Sequence, residues 1–429
     1  MLREDDTSGD SGSTGSLMEV NSLVYRVPES LCLGTARSFN RNFFQRNSYS
    51  GTQMETMRID INSSSLYACS KNSYLQFEVK LTASTGVDYA NFGTGSAMNC
   101  FRSIVCRSKS GTEIFRNDAL NVWSRINTLY SESESYLTKQ GQLEGWVFPL
   151  LTNTSSVQLI ASDRWTKFCI PLKRLGDFFN QSEYLPPALL SGMSIELVLE
   201  DYRRVFLEVG GANPTTITGY DIRNVSIMLD TLTLSDASQK TINQESASNG
   251  LEYTFQSCYI SIVDQPSLQT GLSVQIRKAA SECNSAMCVI TPSFAQTSVK
   301  VCSFGSFTWD TLTWRWRLGG LYFSSSDFSD PMKDGVEAYQ QAMVYSDTFK
   351  HPHMNPYMSL DSYKSFAAAN IVSLEKNSSL QLSGSATNNS RVLELTATLE
   401  ANSLARSVYV LLNYTTVVRA YLDNVSVTS

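Results

Sequence analysis

The chain has 429 residues, of which 42% are hydrophobic and 17% charged, and its formal net charge is −6. This length is enough for two or three separate cores at roughly 150 residues per domain. The negative balance argues against a protein that holds nucleic acid through an overall basic field. With His351 and His353 as its only histidines, the chain is also a poor candidate for histidine-based catalysis or transition-metal binding.

Residues 1–50 are predicted to form an N-terminal arm. The first 20 residues contain one arginine against five acidic residues, around a run rich in Ser and Gly, and such a composition cannot bury enough apolar surface to fold alone. Residues 21–50 are basic instead and interleave phenylalanines with arginines. We expect them to pack on their own domain or on a neighbouring subunit, with contact to nucleic acid or lipid as the alternative. The acidic start does not resemble an export signal, so the protein is expected to stay inside the cell that makes it.

The first body segment, residues 51–235, is dominated by alternation of apolar and polar residues, which is typical of half-buried strands. Apolar side chains occupy every second position of 75–81 and again of 193–199. The positions between the apolar residues, which are expected to face solvent, carry polar residues. Continuous alternation of strands with helices is absent. Both features favour antiparallel sheets stacked face to face.

A polar stretch, residues 236–250, has one large apolar residue in fifteen and is predicted to be a linker. It separates the first segment from a second one, residues 251–429, in which the same alternation recurs at 312–318 and 393–399. No stretch of either segment has the ~20 apolar residues that a membrane-spanning helix needs.

One helix is predicted in each segment, and each comes directly behind a pair of strands. The first has apolar residues at helical spacing behind Asn117-Asp118: Ala119, Trp123, Ile126 and Tyr130. The second has the same kind of spacing behind Asp330-Pro331: Val336, Tyr339 and Met343. Strands at 165–172 and 225–234 would then match 365–374 and 417–427. The order of elements repeats, which predicts an all-β protein of two tandem eight-stranded jelly rolls, each with a short inserted helix.

The sequence offers little chemistry. His351 and His353 flank a proline, and a loop role explains them better than a metal site, because no third histidine completes a ligand set. Nine cysteines without C-x-x-C spacing are expected to be small buried hydrophobic residues. Acidic pairs such as Glu132 with Glu134 and Glu200 with Asp201 are expected at solvated strand ends and loops. No catalytic, cofactor-binding or metal-binding residue is therefore predicted, and the chain is not expected to be an enzyme.

Three local patterns connect the chain to a known family: residues 164–172 (RWTKFCIPL), 185–197 (LPPALLSGMSIEL) and 408–419 (VYVLLNYTTVVR). Together with the element order over residues 51–429, they resemble the double jelly-roll major capsid proteins of virophages, polinton-like viruses and related icosahedral DNA viruses. The resemblance implies a structural protein of the virion, assembled inside the host cell. Three chains would form a pseudo-hexameric capsomer of six lobes, because each chain supplies two rolls.

The resemblance also implies partners: two further copies in a homotrimer, neighbouring capsomers, and penton and minor capsid proteins. The arm at residues 1–50 would lie near the shell interior and make weak contact with the genome or an internal membrane. No cofactor is implied.

Two other classes of protein remain as alternatives. A tandem β-sandwich that binds carbohydrate or adheres to surfaces would display its aromatic residues in an open groove, and the Trp314-Arg-Trp-Arg317 strip is the best candidate for such a platform. Alternation with Leu312 and Leu318 predicts instead that Trp314 and Trp316 face the core. A hydrolase on a jelly-roll scaffold would need two facing carboxylates in a cleft.

Overall fold

The computed structural model describes residues 34–62, 66–84, 89–146, 159–181, 184–209, 217–293, 311–323, 328–329, 336–345, 359–364, 368–376, 384–388, 391–401, 405–421 and 424–429.

The first half of the chain contains the following described strands: β1 (Gly34–Phe43), β2 (Ser48–Ser50), β3 (Thr56–Ile61), β4 (Tyr67–Ala83), β5 (Tyr89–Asn91), β6 (Phe101–Arg107), β7 (Glu113–Asn117), β8 (Ile160–Ala161), β9 (Thr166–Pro171), β10 (Met193–Leu199), β11 (Leu207–Glu208) and β12 (Ile217–Leu234). The predicted alternation is present: apolar side chains of β4 and β10 are buried at every second position, and the polar residues between them on β4 are partly exposed. Burial of one face per strand drives two sheets together.

Nine of these strands build two antiparallel sheets, eight of them as the main strands of the roll. One sheet has the order β1-β12-β4-β9, with β2 added to β12, and the other has the order β3-β10-β6-β7. Their buried faces meet, since the ring of Phe77 on β4 lies 5.2 Å from that of Phe101 on β6, edge to face. A small third sheet, β11-β5-β8, lies beside them.

The second half contains these described strands: β13 (Leu251–Gln265), β14 (Gly271–Ile276), β15 (Ala280–Pro292), β16 (Thr311–Leu318), β17 (Leu321–Tyr322), β18 (Phe328–Ser329), β19 (Asn370–Ser373), β20 (Ser385–Thr387), β21 (Leu393–Leu399), β22 (Arg406–Ala420) and β23 (Val425–Thr428). They form the sheets β13-β22-β15-β19 and β14-β21-β16-β17, with β20, β23 and β18 at the sides of β15, β22 and β16.

The two halves repeat one topology. The eight main strands of each half, counted along the chain, are β1, β3, β4, β6, β7, β9, β10 and β12 in the first half and β13, β14, β15, β16, β17, β19, β21 and β22 in the second. In both halves, one sheet has the order first-eighth-third-sixth and the other has the order second-seventh-fourth-fifth. This order is the jelly roll, in which two Greek keys share a sandwich. The predicted all-β fold of two tandem eight-stranded jelly rolls is confirmed.

The described helices are α1 (Leu120–Ser131), α2 (Glu134–Thr138), α3 (Pro187–Leu190), α4 (Tyr202–Val205), α5 (Asp236–Ser248), α6 (Val336–Tyr345) and α7 (Leu360–Ser362). Single 3-10 turns occur at Gly51–Gln53, Ala97–Cys100, Gln140–Glu144, Leu172–Arg174 and Asp177–Asn180. In the part of the chain that the structure describes, no helix is long and apolar enough to cross a lipid bilayer.

The two predicted helices are α1 and α6, and each lies between the fifth and sixth main strands of its roll. All four predicted stripe residues of α1 are buried, and the Asn117 side chain accepts a hydrogen bond from the backbone N–H of Ala119 just before the helix begins. In α6 the stripe differs from the prediction, because Val336 is exposed and the buried face is made by Ala338, Ala342 and Met343.

The region predicted as an arm contains the first strand of the first roll. Residues 34–43 pair with β12 over the register Gly34↔Leu234 to Phe43↔Ser226, and Ser48–Ser50 pair with the same strand. The boundary that we placed at residue 50 therefore falls after the roll has begun. The remainder of the predicted arm, residues 1–33, lies outside the described residues.

The region predicted as a linker is a helix. Helix α5 starts behind the N-cap Ser235, whose hydroxyl accepts a hydrogen bond from the backbone N–H of Ser238. Ser246 alone is fully buried in it, and its hydroxyl donates to the carbonyl of Ala420. The helix is otherwise mostly polar, with Ile242 as its one large apolar residue, and it lies between the last strand of the first roll and the first strand of the second.

Two strand matches also differ in detail from the prediction. The strand predicted over 365–374 is β19, which spans Asn370–Ser373. The closing strand predicted over 417–427 is divided between the end of β22 and the separate strand β23, which folds back onto β22. The matching strand of the first roll, β12, is continuous through the predicted range.

Candidate assembly surfaces

The tryptophan strip of β16 lies in the core of the second roll, as the alternation predicted. Trp314 and Trp316 are each 1% exposed. Arg315 and Arg317 occupy the opposite face, where the Arg315 guanidinium stacks 3.7 Å from the centre of the Tyr322 ring and Arg317 pairs with Glu394. The open aromatic groove that a carbohydrate-binding protein would need is therefore not formed by these two tryptophans.

The acidic pairs have structural roles, and Glu200 and Asp201 are more buried than we expected. Glu200 accepts hydrogen bonds from the Asn121 side chain at 3.0 Å and from the backbone N–H of Asp201 at 3.0 Å. Asp201 caps α4 by accepting from the backbone N–H of Arg203, and it also pairs with the Arg203 side chain. Both carboxylates thus hold the segment that follows β10.

Six of the seven cysteines in the described residues are buried, and Cys169 is partly buried. All seven are free of disulfide bonds. Burial raises the pKa of the Cys100, Cys106, Cys258 and Cys288 thiols, which disfavours the reactive thiolate. His351 and His353 lie outside the described residues. Among the residues that are described, no group of three or more His, Cys, Asp or Glu is placed to hold a metal ion.

A buried ionic cluster fastens the helical insertion of the first roll to the sandwich. Arg174, which follows β9, donates to Glu144 at 3.1 Å and to Glu132 at 2.9 Å, and the neighbouring Lys173 also pairs with Glu132. The phenol of Tyr136 donates to Glu144 from the other side.

The charges in this cluster support one another. Burial disfavours the charged form of Arg174, but the two carboxylates outweigh it and raise the pKa of Arg174. Burial would likewise raise the pKa of Glu132, yet the charges of Arg174 and Lys173 lower it. Sequence reasoning missed this cluster, because the basic residues Lys173 and Arg174 are separated from their acidic partners by 30 to 42 positions. No local pattern in the sequence marks such pairs.

The two rolls contact each other through aromatic rings and through the edge of β13. The ring of Phe255 on β13 lies 5.2 Å from Phe178 and 6.4 Å from Phe115 on β7. Asp177 accepts a hydrogen bond from the backbone N–H of Gln256, and Gln181 donates to the carbonyl of Thr254. The apolar clusters of the two sandwiches are continuous across this contact.

A second, smaller contact between the rolls is polar. Arg204 donates to the phenol of Tyr409 at 2.9 Å. A cavity of about 270 Å³ lies beside this pair and is lined mainly by polar and charged side chains. A larger groove of about 600 Å³ separates α5 from the turn at Ser108, Lys109 and Ser110.

Large exposed apolar side chains are spread over the described chain, and besides the pairs on β1 and β17 they include Met54, Tyr89, Leu143, Tyr184, Tyr259, Ile262, Leu268 and Val336. Phe39 and Phe43 on β1 are 53% and 66% exposed, and Leu321 and Tyr322 on β17 are 65% and 50% exposed. Isolated exposed apolar residues are ordinary, whereas pairs at the edges of sheets are candidate contact surfaces.

Comparison with known proteins gives matches in structure. No model of a known protein family matches the chain, and no curated protein matches it. The Faustovirus major capsid protein is similar with a TM-score of 0.63 at 8% identity, over 94% of each chain. A chain of the Sputnik virophage structure has a TM-score of 0.61 at 10% identity, over 92% of this chain and 88% of that one. The mavirus major capsid protein has a TM-score of 0.52 at 9% identity, over all of this chain and 96% of that one.

The similarity extends over both rolls in every case, at identities that carry information on the fold alone. The chain has the double jelly-roll fold of the virophage and Faustovirus major capsid proteins.

Proposed function

We propose that the chain is the major capsid protein of an icosahedral virus and that three copies assemble into a pseudo-hexameric capsomer. The observation that carries the proposal is the repeat of one strand order in two rolls that are docked side by side, in a chain whose whole length is similar to viral major capsid proteins. Because one fold can serve many functions, the role of the chain also depends on the surfaces that its two rolls present to other copies.

The repeat gives the assembly its geometry. Two similar lobes per chain allow three chains to place six lobes around a ring, so that threefold symmetry fills a sixfold lattice position. The charged fraction of 17% is low, and a surface with few charges suits extensive contact between copies. Stable association of this kind buries on the order of 2,000 Å² or more.

We further propose that the two rolls are separate domains joined by residues 236–250. Neighbouring capsomers, penton proteins and minor capsid proteins are the expected partners of the outer surfaces. The arm is expected to make weak contact with the genome or an internal membrane. The protein would reside in the virion, after assembly inside the host cell, with neither catalytic activity nor a cofactor.

The direct test is the mass of the purified full-length protein. A chain of 47.7 kDa predicts a particle of about 143 kDa by size-exclusion chromatography with light scattering. Negative-stain electron microscopy of that particle should show a ring with six lobes. A protein that remains monomeric at all concentrations up to tens of micromolar would contradict the proposal.

A further inference from the structure

The two rolls differ in how the free edge of their first strand is covered. The first strands are β1 and β13, and each pairs with one described strand, β12 or β22, which leaves its other edge free of strand pairing. A free strand edge presents backbone donors and acceptors that can pair with another chain, and folded proteins normally cover such edges.

The edge of β13 is covered by the first roll of the same chain at Thr254 and Gln256, whereas Tyr259 and Ile262 further along the strand are exposed. The Asp177 carboxylate accepts a hydrogen bond from the backbone N–H of Gln256 at 2.9 Å. The Gln181 side chain donates one to the backbone carbonyl of Thr254 at 3.1 Å. Beside them Phe255 packs against Phe115 of β7, which is the fifth main strand of the first roll. The contact therefore joins the first strand of one roll to the fifth strand of the other.

The corresponding edge of β1 is open in the described chain. Residues 35–39 are exposed without interruption, and Phe39 and Phe43 project from one face of the strand at positions i and i+4. A strand with two exposed phenylalanines at the edge of a sheet is an association site unless another element covers it.

Among the residues that the structure describes, no strand pairs with the outer edge of the fifth strand of the second roll, the counterpart of β7. This strand is β17, which pairs with β16 at the edge of its sheet. Its two residues, Leu321 and Tyr322, are both exposed. The described part of each chain thus contains one completed contact between a first and a fifth strand, and the two strands that would form a second one.

We propose that β1 of one copy docks against β17 of a neighbouring copy and repeats between chains the contact that β13 makes with β7 within the chain. This inference rests on the proposed capsomer and names the surfaces that close it. A contact between two different patches of identical chains is heterologous and forms a ring when the rotation closes. With two rolls per chain, three such contacts alternate with three internal ones around six lobes.

The chemistry of the two patches fits this arrangement. Phe39 and Phe43 supply two aromatic anchors, and Leu321 and Tyr322 supply an aliphatic and an aromatic partner. Large apolar side chains at the centre of an interface carry most of its binding free energy. On the same face of β1, Arg41 lies between the two phenylalanines with its guanidinium 5.8 Å from the centre of the Phe43 ring, and Arg37 pairs with Asp230. Arginine is enriched in interfaces between proteins.

The first experiment removes each patch separately in the full-length chain. The variants Phe39→Ser with Phe43→Ser, and Leu321→Ser with Tyr322→Ser, should each raise the concentration at which the trimer dissociates at least tenfold. Leu143→Ser, at an exposed leucine away from both patches, is the matched control and should leave that concentration unchanged. Circular dichroism and the melting temperature of the diluted monomer verify that each variant folds.

The second experiment tests direct contact by introducing complementary charges. Phe39→Lys with Phe43→Lys, or Leu321→Glu with Tyr322→Glu, should weaken the trimer, whereas the chain that carries all four changes should recover at least tenfold of the loss. Hydrogen exchange on the wild-type protein gives an independent measure, since the amides of residues 35–43 should be protected in the trimer and should exchange faster in the diluted monomer.

The outcomes separate this inference from the proposed function. A wild-type trimer that all these variants leave intact, with equal exchange of β1 in trimer and monomer, would overturn the docking of β1 on β17 and leave the capsomer standing. A wild-type protein without any trimer would overturn the capsomer itself.

Discussion

The buried carboxylates of Glu144 and Asp230 in the first roll are each paired with a side chain of opposite charge. Arg174 and Glu144 are both nearly inaccessible to solvent, and they form an ion pair at 3.1 Å. Such a pair contributes less net stability than its Coulomb attraction suggests, because both groups lose their hydration. Removing one partner is nevertheless costly, since the other charge remains buried without its ion pair.

We therefore expect Arg174→Ala to lower the free energy of unfolding by about 3–5 kcal/mol. Arg419→Ala is the control, because Arg419 pairs with Glu252 at the surface with both side chains about half exposed. That change should cost no more than about 1 kcal/mol. Chemical denaturation of the diluted monomer measures both values, and equal losses in the two variants would contradict a special role for the buried cluster.

Asp230 on β12 forms a buried side-chain contact with β1, in addition to the backbone pairing of the two strands. Its side chain is fully buried and accepts two hydrogen bonds from Arg37, at 2.8 and 2.6 Å, and one from Asn72 at 3.0 Å. The hydrogen bond from Arg37 is the main cause that lowers the pKa of Asp230, and it prevails over the opposing effect of burial. The charged form is thus favoured in the folded protein.

The sign of the pH dependence follows from this lowered pKa. A carboxyl group whose pKa is lower in the folded than in the unfolded state stabilises the fold above its unfolded pKa, near ~3.9, and the stabilisation disappears as the pH falls through the folded pKa. The difference in free energy of unfolding between wild type and Asp230→Asn should accordingly be constant around neutral pH and shrink below about pH 4.

Denaturation curves between pH 2 and 7 measure this difference. Asp60→Asn serves as control, because Asp60 is partly exposed and its partner Arg58 is exposed as well. That change should affect the free energy of unfolding little at any pH in the range. A difference for Asp230→Asn that grows on acidification would refute the assignment.

Individual elements show which patterns in the sequence carry structural information. Strands β4, β10, β16 and β21 bury one face, so their side chains alternate and the prediction succeeded. Helix α1 has a buried stripe and was predicted for the same reason. In each case burial against the core imposes a period on the sequence that can be recognised without knowing the partner.

The elements that we misjudged lack such a period. Strand β1 is mostly exposed and carries Arg and Asn between its phenylalanines, so nothing in its pattern distinguishes it from an arm. Helix α5 is mostly polar, and its start at Ser235 is marked by a single capping residue. Both elements are defined by partners far along the chain: β12 for β1, and Ala420 for Ser246 of α5.

The candidate surfaces were predictable only in kind. Burial of Trp314 and Trp316 followed from alternation, which left the outer faces for contacts between copies. The sequence cannot reveal that Phe39 is exposed while Phe255 is covered, because both lie on first strands and differ only in what the rest of the chain places beside them. The distinction arises from the docking of one roll on the other.

At the scale of the whole molecule, the rolls are joined by a continuous apolar contact in addition to a covalent connection. Phe178 of the first roll and Phe255 of the second lie 5.2 Å apart with their rings at 71°, an edge-to-face arrangement. Such pairs contribute about 0.5–1.5 kcal/mol beyond the area that they bury. The relative position of the two lobes, on which the ring of six depends, is thus set by packing within each chain.

A double-mutant cycle tests this coupling between the rolls. Phe178→Ala and Phe255→Ala should each destabilise the protein, and the double variant should lose less than the sum of the two by about 0.5–1.5 kcal/mol, because the pair interaction can be lost only once. The control cycle combines Phe255→Ala with Phe77→Ala, since Phe77 packs against Phe101 inside the first sandwich, and these changes should add within about 0.5 kcal/mol. Additivity in both cycles would mean that the rings of Phe178 and Phe255 do not stabilise each other, and the relative position of the rolls would then depend on the hydrogen bonds of Asp177 and Gln181 to β13.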